Sequence, residues 1–326
     1  MKRPKIKKAF WDNLPKGFHH HRIGTKEIGI ECFVWKGDPG EVVFANGSTH
    51  GDEYEGPTFL MSLVNTWRPR NLRGTVIAIP VLNEGAFKEG TRCRPDDGKD
   101  LSRVFPGKKN GSPTEKLANL CLNELIRYSD YWFDFHSAGT YCEIAQFVGY
   151  YTHSNSKVNK VQKKMAACFD RYWCWAAPYL PGRTASAAHE LNIPFNYTES
   201  RGGGGIMSKD LKMLRDGFFE FLKRFKFIKG KMRKLRRQPI RISRQANEAF
   251  LQTTHLSPAS GLLRLNVKVR DNVIKGQIIG HVFPLDGSSA KSIKAENSGK
   301  VSVLNIRGTA QKGDPTVTIT PIKEKI

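Results

Sequence analysis

Two residues in the run THGDEYEG have the types and spacing to hold a metal ion. His50 and Glu53 form an H-x-x-E pair there. Zinc accepts imidazole nitrogen and carboxylate oxygen, and a catalytic zinc site commonly takes two histidines and one glutamate while leaving a position for water. The pair alone would also suit a surface or helix-capping role. It therefore predicts a metal site only if a third ligand lies nearby.

The run DFHSAG supplies that third candidate ligand. His136 stands at the end of the apolar strand YWFDF, and Asp134 lies two residues earlier. A carboxylate at that spacing can orient a metal-binding histidine. An isolated histidine here would more often be a hydrogen-bonded core residue, but His50 and Glu53 favour the metal. We therefore predict one zinc ion per chain, held by His50, Glu53 and His136.

A glutamate ahead of a glycine run is the candidate general base. Glu199 lies in TESRGGGG, and consecutive glycines at 202–205 favour a loop over a regular helix or strand. A carboxylate beside such a loop can take a proton from water whose pKa a zinc ion has lowered. In the alternative, the glycines cradle an anion and Glu199 pairs with Arg201. We favour the general base.

The stretch GTRCRPDDGKDLSRVFPG carries three arginines, Arg92, Arg94 and Arg103. Guanidinium groups bind carboxylates in a bidentate manner and can stabilise an oxyanion. In a chain this basic, such arginines are more often solvated surface charges. Their position relative to the metal decides between the two interpretations.

Strands and helices alternate along the part of the chain that carries these residues. Apolar runs over 28–44, divided by KGDPG, predict a hairpin or two adjacent strands. Apolar residues at helical spacing predict a helix over 57–67, and TVIAIPVL predicts a buried strand. An S-x-x-E capping box at Ser112 predicts a helix to about residue 128.

The predicted strands place the candidate residues at one edge of a sheet. His50 follows EVVFA, His136 stands at the end of YWFDF, and Glu199 follows IPFNYT. In open α/β sheets, ligand sites lie beyond the carboxyl ends of the strands. We therefore predict an α/β fold with a mixed sheet flanked by helices.

A basic segment at about 228–245 precedes a region of different character. Beyond it, short strand-like runs alternate with turn signals such as DGSS and NSG. We predict a catalytic domain over 1–245, which includes the basic linker, and a small all-β, barrel-like domain over 246–326.

Taken in order, these motifs resemble the succinylglutamate desuccinylase/aspartoacylase family within the zinc carboxypeptidase group. The likeness rests on HGDEYEGP, GTR…DL-R-FPG, SPTEKLA, DFHSAG and the glutamate before the glycines, from about residue 41 to residue 205, and resumes in the β region. The HGDEYEG run is similar to the branch of N-acetyl-diaminobutyrate deacetylases. The resemblance implies a zinc-carboxypeptidase-like fold and hydrolysis of the amide bond in a small anionic N-acyl substrate.

The resemblance also implies roles for the matched residues. The predicted zinc ligands and Glu199 keep the roles given above. Arg92 would polarise the scissile carbonyl, and Arg103 would bind the substrate carboxylate. The family has Asn before that arginine, in D-L-N-R, whereas this chain has Ser102, which would take the place of Asn in binding the substrate. The identity of the released amino acid is therefore open. The C-terminal segment resembles the family's β domain, which is similar to lipoyl or biotinyl carriers, but has no lysine in the usual modified setting.

The charge balance bears on partners. The 326 residues include 53 Lys+Arg against 30 Asp+Glu, a formal net charge of +23. Such a field attracts anions, whether a carboxylate substrate, nucleic acid or an anionic surface. The basic N-terminus is not followed by a long apolar run, and the six cysteines include no C-x-x-C pair. We expect a cytoplasmic protein with reduced cysteines and no membrane span, and the sequence leaves room for a homo-oligomer.

Two alternatives remain open at this point. The first is a zinc carboxypeptidase that acts on peptides, which would need an open groove. The second is a catalytically inactive, basic binding protein whose segment KGKMRKLRRQPIRISR holds nucleic acid or an anionic surface. The resemblance implies a β domain that covers the site, which favours small N-acyl substrates over peptides. The full set of catalytic residue types argues against an inactive protein.

Overall fold

The computed structural model describes residues 9–236, 240–242 and 254–320. The helices in these ranges are α1 (Glu55–Thr66), α2 (Glu84–Glu89), α3 (Pro113–Glu124), α4 (Ser156–Ala167), α5 (Thr184–Glu190) and α6 (Ser208–Arg224). The strands of the first two ranges are β1 (Gly17–Gly24), β2 (Gly29–Lys36), β3 (Asp38–Gly47), β4 (Arg73–Ile79), β5 (Tyr131–Ser137), β6 (Cys142–Ile144), β7 (Phe147–Tyr151), β8 (Trp173–Ala177), β9 (Phe195–Ser200) and β10 (Ile240–Ile242). The strands of the third range are β11 (Thr254–Leu256), β12 (Gly261–Leu265), β13 (Asn272–Val273), β14 (Ile278–Phe283), β15 (Lys291–Lys294), β16 (Gly299–Asn305), β17 (Thr309–Ala310) and β18 (Pro315–Thr320). Short 3-10 helices lie at Phe10–Asn13, Leu101–Arg103 and Ile126–Tyr128.

A nine-stranded mixed sheet forms the larger part of the molecule, in the order β1-β2-β4-β3-β5-β9-β7-β8-β10. Its centre is parallel, because β4, β3, β5 and β9 run side by side in one direction. On one flank β1 and β2 pair antiparallel to their neighbours, and on the other β7 is antiparallel to β9. β8 and β10 then run parallel to β7. The predicted mixed α/β sheet is confirmed.

Helices cover both faces of this sheet, because side chains along each central strand alternate between two apolar cores. In β5, Phe133 and Phe135 belong to one core, where both contact Phe218 of α6. Trp132, the residue before Phe133, points to the other face and belongs to the other core together with Leu117 of α3. Burial on both faces explains why the central strands read as continuous apolar runs in the sequence.

Two smaller antiparallel sheets lie in the C-terminal part, in the orders β11-β18-β16-β13 and β15-β14-β12-β17. They share one apolar core, in which Ile279, Val282 and Val301 are fully buried. The predicted all-β region is thus confirmed. One of its strands comes from the N-terminal part, because β6 pairs antiparallel with β16 and places Ile144 opposite Val303.

The predicted pairing of the two runs in 28–44 is wrong. They form β2 and β3, but β4 lies between them, antiparallel to β2 and parallel to β3. At the intervening turn, the backbone nitrogens of Gly37 and Asp38 donate to the carbonyl oxygens of Gly74 and Leu72, both at 2.9 Å. The chain therefore passes around the beginning of β4 instead of folding back on itself.

The capping box at Ser112 does begin a helix, because Oε2 of Glu115 accepts from the Ser112 nitrogen at 2.9 Å. This helix, α3, ends at Glu124, and the last predicted turn is the separate 3-10 helix Ile126–Tyr128.

The predicted domain boundary at 245–246 falls within residues 243–253, which lie outside the described ranges, so it stays a prediction. Of the predicted basic linker, 228–236 and 240–242 are described. Arg233 forms an ion pair with Asp170 at 2.5 Å, and β10 pairs with β8. Among the described helices, none combines the length and apolarity that a membrane span requires.

Candidate active site

Parallel pairing of three central strands brings the candidate residues to one edge of the large sheet. The strands β3, β5 and β9 are parallel neighbours, so their carboxyl ends meet. In the register of β5 with β9, His136 lies directly opposite Glu199. His50 lies in the loop just beyond β3. We call the group formed by His50, Glu53, His136 and Glu199 the active-site edge.

The loop after β3 is held in a tight, fixed path. Ser48 adopts a left-handed backbone with φ 49°, and its hydroxyl donates to the carbonyl oxygen of His50 at 3.2 Å. The nitrogen of Gly51 donates to the carbonyl oxygen of Thr91 at 3.0 Å. A Cβ at Gly51 would come within 2.1 Å of the Ala86 carbonyl, so the loop passes this backbone too closely for any other residue. These contacts fix the H-x-x-E pair in space.

The three predicted zinc ligands converge. Nδ1 of His50 lies 2.6 Å from Oε1 of Glu53, and Nδ1 of His136 lies 2.8 Å from Oε2 of the same carboxylate. One ligand atom from each residue lies within 4.8 Å of the other two, and all three side chains are buried. Two imidazole nitrogens and one carboxylate oxygen are the donor set that zinc takes in many catalytic sites. The residues present therefore fit a zinc ion.

A carboxylate faces the far nitrogen of each histidine ring. Oδ2 of Asp134 lies 2.9 Å from Nε2 of His136, and Oδ1 of Asp134 accepts from Nδ2 of Asn46 at 2.7 Å. Oδ1 of Asp100 lies 3.0 Å from Nε2 of His50. Both Nδ1 atoms are thereby turned toward the ligand carboxylate, which is how an outer carboxylate orients a metal-binding histidine.

Opposite charges in this dry environment shift the pKa values of the ligand residues. Burial lowers the pKa of His136, but Asp134 and Glu53 outweigh it and leave the pKa well above its ordinary value. Burial raises the pKa of Glu53, but the two histidines outweigh it and hold the pKa below its ordinary value. Protons and a metal ion therefore compete for the same nitrogens.

Glu199 is partly accessible to solvent, and its pKa is higher than that of an ordinary glutamate. Its side chain is half-buried beside the ligand group. Burial, together with the negative charge of Glu53, raises the pKa of Glu199 to about 8, against the opposing charges of His136, His50 and Arg92. A carboxyl group with a pKa near neutrality can both accept and donate a proton under ordinary conditions.

Arg92 lies at the active-site edge and not on a remote surface. Its Nη1 is 3.8 Å from Oε1 of Glu53, and its Nη2 donates to Oδ2 of Asp100 at 3.1 Å. Nearly half of the side chain, 48%, stays exposed, so the guanidinium can also donate to a bound molecule.

The sequence model of the succinylglutamate desuccinylase/aspartoacylase catalytic domain matches residues 39–224, more than half of the chain. The chain belongs to this family. It is therefore an amide-hydrolysing enzyme, and the matched segment contains the whole active-site edge.

Relatives of known identity agree with this assignment. The N-alpha-acetyl-L-2,4-diaminobutyric acid deacetylase of Halomonas elongata is 28% identical over 97% of this chain and 94% of its own. Among solved structures, a succinylglutamate desuccinylase from a Silicibacter species superposes with a TM-score of 0.85, at 23% identity over 95% of this chain and 98% of that one. The product-bound ectoine utilization protein EutE (DoeB) of Ruegeria pomeroyi gives a TM-score of 0.83, at 24% identity over 94% and 97% of the two chains.

In this member of the aspartoacylase family, Ser102 links the active-site edge to Arg103. The Ser102 hydroxyl donates to Oδ1 of Asp100 at 2.7 Å and lies 3.2 Å from Nε2 of His50. Nη1 of Arg103 donates to the same hydroxyl at 2.6 Å. The hydroxyl thus ties the exposed Arg103 to the network around the ligands.

Two other arginines lie outside the group. Arg94 is buried and donates to Asp96 through Nε and Nη2, so it fixes the loop and does not reach the active-site edge. Arg201 pairs with Glu143 and not with Glu199, which removes the alternative in which Glu199 serves only as its partner.

The structure adds two residues that sequence reasoning missed. Asp100 accepts hydrogen bonds from Arg92 and Ser102 and faces His50, and its place in DLSR was the signal that could have revealed it. Arg183, just before α5, adds positive charge beside Arg103. Burial together with Arg183 lowers the pKa of Arg103 despite the nearby carboxylate. No motif marks Arg183, because only the fold brings it here.

Proposed function

We propose that this chain is a zinc-dependent deacylase that hydrolyses the amide bond of a small, anionic N-acyl amino acid. The observation that carries the proposal is the register of β5 with β9, which sets Glu199 opposite His136 and so beside the ligand group. A zinc ion bound by His50, Glu53 and His136 would lower the pKa of a water molecule and draw electrons from the scissile carbonyl.

Glu199 carries the proton transfers in this proposal. As a carboxylate it takes a proton from the attacking water while the water oxygen bonds to the acyl carbon. Burial and the charge of Glu53 raise the pKa of Glu199, which favours retention of that proton until the C–N bond breaks. Glu199 then delivers that proton to the departing amine nitrogen. The products are the free carboxylic acid and the free amine.

Arg92 is placed to stabilise the negative charge that develops on the carbonyl oxygen. Its guanidinium is already aligned by Glu53 and Asp100. A donor held in place before the reaction needs no reorganisation when charge appears, which is what makes such donors effective.

Arg103 and Ser102 are the residues we assign to the substrate carboxylate. Arg103 is exposed, and Ser102 connects it to Asp100. The positive charge of Arg183 strengthens the attraction for an anion at this side of the edge. The name of the Halomonas elongata relative makes an Nα-acetylated diamino acid the first compound to test.

The C-terminal sheets favour small substrates over peptides. The nitrogen of Ile306 donates to the carbonyl oxygen of Tyr141 at 2.9 Å, and the Arg307 guanidinium lies 4.2 Å from the centre of the Tyr141 ring. Tyr141 follows β5, so these contacts flank the active-site edge on one side. Such cover is at odds with the open groove that a carboxypeptidase requires, and we place the peptidase and the inactive binding protein second.

We further infer a cytoplasmic location, in line with six cysteines that are all unpaired. A homo-oligomer stays a prediction.

The decisive experiment measures zinc by elemental analysis in the wild type, His50→Ala, His136→Ala and the control His20→Ala, whose ring is exposed on β1. We expect one zinc per chain in the wild type and the control, and loss in the other two. Amine release from N-acetyl amino acids should follow the same pattern. A folded, zinc-supplied wild type without metal would refute the proposal.

A further inference from the structure

A cleft of about 1110 Å³ lies between the large sheet and the C-terminal sheets. Its described lining includes α6, the segment after α4, β6 with its neighbours, and parts of β12 and β16. Seven of these lining residues are Lys or Arg and two are acidic. We call it the basic cleft. None of the residues assigned to deacylation lines the described part of it.

The few carboxylates near the basic cleft are already engaged. Glu143 pairs with Arg201. Asp170 pairs with Arg233 and also accepts from the backbone nitrogen of Arg236 at 2.7 Å. Asp216, beside the cleft, pairs with Lys212 at 2.9 Å and with Arg171 at 3.4 Å. The remaining positive charge of the lining is therefore not neutralised by these groups.

Four lining cations have no carboxylate within ion-pair distance among the described residues. They are Lys209 on α6, Arg236, and Lys268 and Arg270 in the segment between β12 and β13. Like charges brought together repel one another, and low-dielectric walls increase that cost. An anion bound among them would remove it.

Arg270 is held in position by an amide and a ring, and the negative charge of the buried Asp210 also acts on it. Its Nη2 donates to Oε1 of Gln146 at 2.9 Å, and Nε2 of Gln146 donates in turn to Oδ1 of Asp210 at 2.8 Å. The guanidinium lies 5.7 Å from the centre of the Trp173 ring. A guanidinium fixed through an amide and a ring keeps donors free for a ligand, and its planar fork suits phosphate oxygens.

The walls of the cleft limit the kind of anion. Leu263, Val267 and Leu304 from the C-terminal sheets face Met213 of α6 across it. Apolar side chains from both sides suit a compact molecule that is enclosed. A polymer that binds only through its backbone charges has no need of them.

We propose that the basic cleft binds a small molecule that carries two or more phosphate groups. Several cations around one space require a ligand with several negative charges. Lysine ammonium and arginine guanidinium groups are the usual partners of phosphate oxygens. The site is separate from the deacylation chemistry, so it adds a binding function to the enzyme.

Calorimetric titration of the full-length protein with inorganic triphosphate at low salt tests the proposal. The test variant is Lys209→Ala/Lys268→Ala. The control is Lys116→Ala/Lys312→Ala, which also removes one exposed helix lysine and one exposed loop lysine but leaves the cleft intact. We expect one triphosphate per chain, bound at least about tenfold more weakly by the test variant and unchanged by the control.

Triphosphate also binds zinc, so the difference between the two double variants decides the result. Equal weakening in both would mean diffuse surface charge and would overturn the proposal. Unchanged binding in both would place the ligand elsewhere and overturn it as well. A third outcome would also overturn it: the wild type binds heparin or RNA but not triphosphate, and the test variant loses the binding of heparin or RNA.

Discussion

The active-site edge and the basic cleft differ in how their charged side chains are paired. At the edge, His136 lies between Glu53 and Asp134, and Arg92 between Glu53 and Asp100. In the described part of the cleft, cations such as Lys209, Lys268 and Arg270 lack such partners. The residues of the first region could hold a metal cation, and we propose an anion for the second.

The active-site edge contributes little to the high net positive charge of the chain. The formal net charge is +23, yet the catalytic centre is locally balanced. Deacylation needs one buried cation site and one carboxylate-binding arginine, which is a small part of that excess. The basic cleft holds another part of it. Each prediction below tests one side of this contrast.

The largest effect is expected for the carboxylate that moves protons. Glu199→Gln should lower kcat about a thousandfold with zinc content unchanged, because an amide cannot accept the proton from water. Lys212→Gln, a charge change in the cleft of similar size, should leave kcat within about twofold. Steady-state rates and elemental analysis on both variants provide the check. A Glu199→Gln enzyme of near-normal rate would remove this residue from the mechanism.

Acidification should weaken zinc binding at the active-site edge. The pKa values of His50 and His136 are raised, so each ring holds its proton to higher pH than usual, and zinc must displace it. The apparent affinity should therefore fall as pH falls, by up to about tenfold per pH unit for each proton displaced. Competition with a chelator at about pH 8 and about pH 6 measures this change in affinity. A zinc affinity independent of pH would contradict the charge arrangement.

Asp134→Asn should weaken zinc binding about ten- to a hundredfold. The amide can still accept from Asn46, but its NH2 group cannot accept from Nε2 of His136, so the ring loses its orientation. Asp97→Asn is the control, because Asp97 accepts from the Thr114 nitrogen at 2.8 Å and so caps α3, apart from the ligands. The readout is again chelator competition. Equal zinc affinities in the two variants would show that Asp134 has no orienting role.

The loop after β3 should tolerate no side chain at its closest backbone approach. Gly51→Ala should lower the free energy of unfolding by about 2 kcal/mol or more, because its Cβ would overlap the Ala86 carbonyl. Gly205→Ala should be near neutral, because a Cβ there has no atom within 4 Å. Denaturant unfolding of both variants compares them. A neutral Gly51→Ala would mean that the loop does not depend on this contact.

The smallest effect is expected at Ser102. Ser102→Asn introduces the amide of the family pattern D-L-N-R. It should change the KM for any one N-acetyl amino acid by less than about tenfold, with kcat little affected. The serine already bridges Arg103 and Asp100, so either residue can hold the arginine. A large fall in kcat instead would indicate that the hydroxyl at 3.2 Å from His50 acts on the ligand itself.

Much of the active-site edge could be predicted from the sequence, because strand ends and ligand types are local signals. EVVFA, YWFDF and IPFNYT each form a central parallel strand, and their ends meet as expected. The register that places His136 opposite Glu199 cannot be read from the sequence. Any parallel pairing of β5 with β9, however, brings the ends of the two strands close together.

The remaining features depend on partners distant in sequence. The runs of β2 and β3 look like a hairpin until β4 enters between them. Arg183 and the cations of the basic cleft lie on separate elements, so no spacing reveals them. The strand β6, with the sequence CEI, is too short for periodicity to show and exists because β16 offers an unpaired edge.

The pairing of β6 with β16 has a consequence for how the enzyme matures. The segment before β6 leads directly from the active-site edge, while β16 lies near the end of the described chain, so this ladder joins very distant parts of the sequence. Pairing of such distant segments is slow, because the entropy of closing the long loop between them opposes it. All strands of the large sheet are also synthesised before β16. We therefore expect the segment beyond the active-site edge to take its final position only after the C-terminal sheets have been synthesised.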